Sequence, residues 1–284
     1  MERRRAILLA LLVTFLWSTS WVLIKLGLRQ SLPPLTFAGL RYMLAFFCLL
    51  PLVVFNREQR ARLKQLGWGD WAWLVGLGLV YYAVTQGTQY LSLDTLPAAL
   101  VSLMLNLTPV VVAAGGLIFL GERPSKTQWL GLLVTMAGVV IYFQMGAVLS
   151  GMWLGMGAAV LCLVANATSA VMGRRVNRGG RIPVLLVTLI SMGVGASVLL
   201  VVGGATQGFG AMSWQHWLII AWLAVVNTAL AFTLWNASLR VLSAVESSIL
   251  NGLMLPQIAI LAWVFLDEAV SVREIGGLGL VWLG

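Results

Sequence analysis

Two indoles and two hydroxyls share one face of the first apolar segment. Thr14, Trp17, Ser18, Trp21 and Lys25 recur at the three- and four-residue spacing of a helix face. A second stripe, Tyr82, Thr85, Gln86 and Gln89, lies in the third apolar segment, with Tyr81 and Tyr90 to either side of it. Other polar side chains stand in apolar surroundings: Ser102 and Asn106 in the fourth segment, Asn166 and Ser169 in the sixth, Asn227 in the eighth, Ser248 and Asn251 in the ninth. The chemistry open to such groups is non-covalent. Ring faces stack on apolar or aromatic solutes, each pair contributing ~0.5–1.5 kcal/mol beyond burial, while amides and hydroxyls donate and accept hydrogen bonds. Neutral polar groups among aromatics suit zwitterions and uncharged amphiphiles better than anions. The set therefore predicts a substrate-binding cavity built from Trp17, Ser18, Trp21, Tyr82, Gln86, Ser102, Asn106, Asn166, Ser169, Asn227, Ser248 and Asn251. Some of these groups are expected to serve only as hydrogen bonds between helices, at ~0.6–2 kcal/mol each.

Other chemistries lack their residues. There is no G-x-x-x-x-G-K-[ST] run and hence no ATP-driven motor in the chain. A membrane-embedded enzyme needs clustered His, acids or an activated nucleophile within its apolar segments, and the sequence has no such cluster, so no catalytic residue is assigned. Cys48 and Cys162 both fall inside apolar segments without metal-site spacing, which predicts neither a disulfide framework nor a metal centre, and no cofactor is expected. The lone His216 opens the eighth segment, where an interfacial position is expected. No acid lies deep in any segment: Glu246 is at the inner end of the ninth, and Asp94, Asp267 and Glu268 are at outer ends. Proton-coupled carriers usually need a membrane-embedded acid or histidine relay. The expectation is movement down a gradient, with coupling through Glu246 as the alternative.

The elements that position these residues are membrane helices. The chain is 60% hydrophobic and 10% charged, with a mean hydropathy of +0.95, whereas soluble domains are about one quarter charged. Apolar runs of about 20 residues recur throughout and predict an all-α membrane protein. Ten spans are expected: 6–28, 35–55, 70–92, 96–120, 127–145, 151–173, 183–204, 214–234, 244–266 and 272 to the end. The Met-Glu-Arg-Arg-Arg start ahead of the first run resembles a signal peptide, but no small-residue cleavage site follows, so it is read as an uncleaved first helix. The last span has only 13 residues, about 20 Å at 1.5 Å per residue, which predicts that the natural chain runs a few residues further. With the N-terminus inside, 14 of the 18 basic residues fall in cytoplasmic loops, leaving Lys25, Arg29, Arg41 and Arg273. The net charge of +9 is thereby a matter of topology and not a nucleic-acid footprint.

The stretch 98–122 recurs at 244–268. Ala98, Ser102, Pro109, Leu120, Gly121 and Glu122 correspond to Ala244, Ser248, Pro256, Leu266, Asp267 and Glu268, and Gly131 to Gly277. The offset is 146 residues at the ends and 147 at the proline. A repeat of that length divides the chain into halves, 1–148 and 149–284, of five spans each, the last one truncated. Five is odd, so the second half must be inverted relative to the first. Inverted repeats are a construction of secondary transporters, which hold substrate at the repeat interface near mid-membrane. Pro109 and Pro256 fall mid-span in the repeated helices and predict kinks there. The glycines of Gly115-Gly116, Gly151-x-x-x-Gly155 and Gly276-Gly277 predict close helix packing.

These features resemble the EamA branch of the drug/metabolite transporter superfamily. Trp17-Ser-Thr-Ser-Trp21, Phe37-Ala-Gly-Leu-Arg41 and the twofold signature at 109–131 and 256–277 carry the resemblance. It implies a ten-helix fold of two inverted five-helix repeats in a bacterial inner membrane, and export of small metabolites by alternating access. Among relatives of known function are exporters of amino acids, including the YddG-type exporters of aromatic amino acids. A small-molecule substrate and membrane lipids are expected as partners, with no nucleic acid and a monomeric state. Because the family pattern holds an arginine at position 41, a structural role is expected for it. Lys25 is expected either to meet a substrate carboxylate or to snorkel to the interface. The rival within transporters, an exchanger of phosphorylated or nucleotide-linked sugars, needs several cavity cations, and only Lys25 and Arg41 are at hand; the rival outside transporters is a non-transporting membrane scaffold, since duplication can simply make a stable bundle.

Overall fold

A computed structural model describes residues 3–108, 110–111, 126–143, 152–178, 181–239, 241, 250, 253–268 and 272–283. Ser248, Asn251, Glu246 and Pro109 of the expected site lie outside the described residues. All regular structure among the described residues is helical. The helices are α1 (Arg3–Arg29), α2 (Pro34–Val54), α3 (Arg57–Lys64), α4 (Trp68–Leu77), α5 (Gln86–Thr95), α6 (Ala98–Leu105), α7 (Lys126–Phe143), α8 (Trp153–Arg178), α9 (Val184–Thr206), α10 (Trp214–Ala224), α11 (Ala231–Leu239), α12 (Met254–Leu266) and α13 (Val272–Leu283). Two π-helical segments, π1 (Gly78–Thr85) and π2 (Val225–Leu230), join α4 to α5 and α10 to α11 into continuous rods. Among the described residues, five helices are long and apolar enough to cross a bilayer: Arg3–Arg29, Pro34–Val54, Trp153–Gly173, Val184–Thr206 and Trp214–Trp235. Their outward residues are large and apolar, such as Leu154, Val201, Trp217 and Leu218, as a lipid-facing surface requires.

The long helices bury one stripe and expose the rest. On α1 the buried stripe runs Ala6, Ala10, Val13, Thr14, Ser18, Trp21, Lys25 and Leu28. It packs on α11 and α12, while α2 packs on α9, α8 on α5, and α13 on α7. A tight seam joins α9 to π1. A Cβ added at Gly195 would lie 2.5 Å from the Gly78 carbonyl oxygen, and one at Gly78 would lie 2.5 Å from that of Ser191. Neither position holds a side chain unless the two backbones separate. Among the glycine pairs singled out in the sequence, Gly155 abuts Thr95 and Leu96, whereas Gly276 has nothing within 4 Å where a Cβ would stand.

The helix ends farthest from the N-terminus are held by charged side chains bound to backbone. Lys25 Nζ donates to the carbonyls of Leu93 and, at 2.7 Å, Leu96 at the end of α5. It neither snorkels nor reaches a cavity, because those orphan carbonyls, with the negative end of the helix dipole behind them, are its partners. Arg29 donates to the Leu266 carbonyl at 2.7 Å. The next residue, Asp267, is the C-cap of α12 at φ +55°. Gly121 and Asp267 occupy the same repeat position, and both residue types tolerate φ > 0.

Glu268 completes the pattern from the other side. Its carboxylate accepts the Ala98 N–H at 2.9 and 3.0 Å and the Ala99 N–H at 3.4 Å. Those are orphan donors at the positive end of α6. Glu268→Gln keeps the shape but exchanges a carboxylate for an amide, and is expected to destabilise the detergent-solubilised protein by about 1–2 kcal/mol in a denaturant titration. Unchanged stability would show that the cap contributes nothing.

Candidate functional site

A cavity of about 560 Å³ lies inside the bundle, walled by α1, α2, π1, α5, α6, α8, π2, α11 and α12. Its size falls within the roughly 300–1,000 Å³ of small-molecule sites. Its lining divides by chemistry. Trp17, Trp21, Phe232, Leu105, Met254, Leu255 and Ile258 supply apolar surface, while Ser20, Arg41, Tyr42, Tyr81, Thr85, Gln86, Gln89, Ser102, Asn106, Thr108, Asn166 and Asn227 carry polar atoms.

The apolar wall is centred on Trp17. Its indole packs on Phe232 at 5.5 Å and on Trp235 at 5.2 Å between ring centroids, both tilted. The polar wall is held by hydrogen bonds among its own members. Tyr42 donates its hydroxyl to Gln86 Oε1 at 2.6 Å. Asn166 Nδ2 donates to Thr108 Oγ1 at 3.2 Å, joining α8 to the chain beyond α6. Asn227 Nδ2 donates to the Leu16 carbonyl and, at 3.1 Å, to Thr19 Oγ1 on α1, which fixes the orientation of the amide. Its Oδ1 is buried with no hydrogen-bond partner among the described residues.

The helices around the cavity are irregular at four places. In π1 and π2 the hydrogen bonds lengthen from i−4 to i−5, and a threonine in each spans the wider gap. Thr85 Oγ1 donates to the Val80 carbonyl at 2.9 Å, and Thr228 Oγ1 to that of Leu223 at 2.8 Å. The Thr85 carbonyl accepts from the Thr88 hydroxyl and from the buried Cys162 thiol, each at 3.2 Å. The other two irregularities are helix breaks. α6 stops at Leu105, and the chain turns at Asn106 and Leu107, two residues before Pro109. α12 begins at Met254 after a turn at Leu253, which puts Pro256 in its first turn. A proline there lacks an N–H that has no intrahelical partner in any case. It opens α12 and so does not stand mid-helix, where the sequence placed it. π-Bulges and unwound helix are recurrent features of sites that bind ligands.

Seven of the residues expected from sequence stand in the cavity wall: Trp17, Trp21, Gln86, Ser102, Asn106, Asn166 and Asn227. Three stand elsewhere. The Ser18 hydroxyl lies 2.8 Å from the Thr14 carbonyl and 2.9 Å from Gln257 Oε1 on α12, and is fully buried between the helices. The Ser169 hydroxyl bonds back to the Asn166 carbonyl at 2.7 Å. Tyr82 packs behind the wall, edge-on to Tyr42 at 5.4 Å and to Tyr81 at 4.8 Å. Tyr81 takes the place in the wall that an α-helical register gives to Tyr82. The extra residue per turn of π1 rotates the chain, so Tyr81, Thr85, Gln86 and Gln89 face inward together.

Sequence reasoning also missed Arg41 as a wall residue. It is 5% exposed. Its Nε donates to Thr228 Oγ1 at 3.0 Å, its Nη1 to the Tyr90 hydroxyl at 3.2 Å, and its guanidinium carbon lies 5.1 Å from the Tyr42 ring centroid. A charge at that depth signals an inward-facing group. Whether it meets a cavity or only neighbouring helices depends on tertiary placement that spacing does not give.

Comparison with known proteins gives a single family. Residues 4–144 and again 153–284 match the profile of the family described as EamA-like transporter family. The uncharacterized transporter YvbV of Bacillus subtilis (strain 168) is 28% identical over 99% of this chain and 90% of its own length. A probable amino-acid metabolite efflux pump of Salmonella typhimurium is 26% identical over 97% of this chain and 92% of its own. A solved crystal structure superposes with a TM-score of 0.70 at 20% identity, covering 99% of this chain and 95% of that one, which shows a shared fold.

Proposed function

This chain belongs to the EamA-like transporter family, and from that premise we propose that it exports amino acids with large apolar or aromatic side chains, and related small amphiphiles, by alternating access. In this reading ten helices form two inverted five-helix repeats, 1–148 and 149–284, in a bacterial inner membrane with the N-terminus in the cytoplasm. The observation that carries it is the pairing of irregularities around the cavity. Advanced by the 146-residue offset, π1 projects onto 224–231, which contains π2, and the break at 106–107 projects onto 252–253, which contains the turn at Leu253. In this reading, two copies of one module place unwound or π-helical backbone against the same chamber. Repeat-related broken helices at a central site are what rocking of one half against the other requires. The two separate matches to the family profile support the same division. The aromatic lining supports the substrate class, and the efflux-pump relative supports the direction.

The test is counterflow of a radiolabelled amino-acid panel in proteoliposomes. Trp17→Ala and Asn166→Ala are each expected to lower flux about tenfold or more while the protein still elutes as a folded species from a sizing column. Ten-fold corresponds to about 1.4 kcal/mol, within what a stacked indole or a buried amide contributes. Flux unchanged by both substitutions would remove the cavity assignment. The same vesicles test coupling, since gradient-driven movement predicts no substrate-dependent change of internal pH.

A further inference from the structure

The cavity wall contains one buried cation whose hydrogen bonding is incomplete. Arg41 spends Nε on Thr228 and Nη1 on Tyr90, and no described residue accepts from Nη2. Arg41 lines the chamber, and Nη2 is not among the fully buried atoms without a partner among the described residues. All of its described partners are neutral: a threonine hydroxyl, a tyrosine hydroxyl and a tyrosine ring. No carboxylate reaches it among the described residues; the one described ion pair is Arg181–Asp70. A guanidinium at this depth without a counter-charge is costly, and its fork geometry favours a carboxylate.

A second donor stands beside it. Tyr42 touches both groups, with Arg41 over its ring and its hydroxyl on Gln86 Oε1. Tyr42 fixes the orientation of that amide, and the Gln86 Nε2 hydrogens, which have no described partner, are donors available to the chamber it lines. Lys25 is withdrawn, since its ammonium is bound to the Leu93 and Leu96 carbonyls. Arg41 is therefore the only cation in the described wall.

We propose that Arg41 is the anion anchor of this transporter. It receives a single carboxylate on Nη2, with Gln86 Nε2 alongside, while the body of the substrate lies on Trp17, Trp21 and Phe232. This inference rests on the transport reading above and narrows it to solutes that carry one carboxylate and an apolar or aromatic body. One anchoring charge matches a monocarboxylate. It does not match a phosphate or diphosphate group, which needs several cations. The structural role expected for Arg41 from the family pattern becomes the pre-organisation of that anchor. Thr228 and Tyr90 hold the guanidinium, and π2 brings Thr228 to it.

The test compares matched ligands on the unmodified protein in detergent, read as the rise of the unfolding midpoint with ligand concentration. L-Phenylalanine and 3-phenylpropionate are expected to bind at least ~10-fold more tightly than L-phenylalaninamide and phenethylamine, because each of the latter lacks the anion. Arg41→Lys is expected to weaken carboxylate binding but keep the preference, and Arg41→Gln to abolish the preference. Should Arg41→Gln fail to fold, the four-ligand comparison on the unmodified protein stands alone. Equal binding of amide and carboxylate overturns the anchor, as does the absence of binding by every one of the twenty amino acids and by short aryl carboxylates. Flux in proteoliposomes separates the two proposals. Transport indifferent to the carboxylate removes the anchor and leaves the exporter, whereas carboxylate binding without flux removes the exporter and leaves the anchor.

Discussion

Replacing Gly195 by leucine is expected to eliminate the folded protein, and replacing it by alanine to cost about 1–3 kcal/mol. Two effects oppose each other. Alanine gains up to ~1 kcal/mol over glycine in the interior of a helix. Against that, its Cβ would stand 2.3 Å from the Tyr82 Cβ, 2.5 Å from the Gly78 carbonyl oxygen and 2.9 Å from the Ala83 nitrogen. Two of those three neighbours are main-chain atoms, so no rotamer change relieves the overlap and α9 must move off π1. The steric term wins because it acts on rigid backbone at both ends. The consequence reaches the cavity, since π1 carries Tyr81 and Thr85, with Gln86 next in the chain. A denaturant titration with a parallel flux measurement checks it. Gly195→Ala should lower both stability and flux, and full stability of Gly195→Leu would contradict the seam.

The contrast between legible and illegible residues follows from what periodicity encodes. Trp17 and Trp21 were legible because α1 is a regular helix, with Trp21 in its buried stripe and the half-buried Trp17 beside it. Asn106, Asn166 and Asn227 were legible because an amide in an apolar segment must find a partner, and the bundle interior is the place for one. The signature glutamate stood out as a repeat, but its work as a cap on α6 was hidden. Glu268 and Ala98 are 170 residues apart, and nothing local connects them. Lys25 was misassigned for a related reason. A lysine near a helix end reads as interfacial unless the carbonyls of another helix terminate beside it.

Ser18 and Ser169 show a different limit. Both fall on polar stripes, but a stripe is wider than a cavity, and a small hydroxyl at its edge bonds to backbone or to a neighbouring helix. Arg41 shows the complement, a residue placed correctly at depth whose partners are set by π2, an element without a sequence signature of its own. The largest error was one of register and has one cause. A wheel drawn at 3.6 residues per turn through 78–89 places Tyr82 inward, while the wider turn of π1 places Tyr81 there.

That register makes a paired prediction in which the two tyrosines part company. Tyr81 lines the cavity and touches Tyr82 edge-on, so Tyr81→Ala removes wall and leaves most packing in place. Its expected effect is a rise in KM of about tenfold or more for an amino-acid substrate, equivalent to about 1.4 kcal/mol of lost binding, with a small change in unfolding midpoint. Tyr82 is 4% exposed, packs on Tyr42 and stands where a Gly195 side chain would be. Tyr82→Ala opens a hole in the seam and is expected to cost about 3–5 kcal/mol of stability, as large-to-small aromatic truncations do, with KM unchanged in the fraction that folds. An α-helical register predicts the reverse assignment for both residues. A rise in KM confined to Tyr82→Ala, with the stability loss confined to Tyr81→Ala, would therefore remove the π segment from the account. Arg41 would then lose the parallel argument for its own partner, because Thr228 in π2 sits at the repeat position of Tyr82 in π1, 146 residues on.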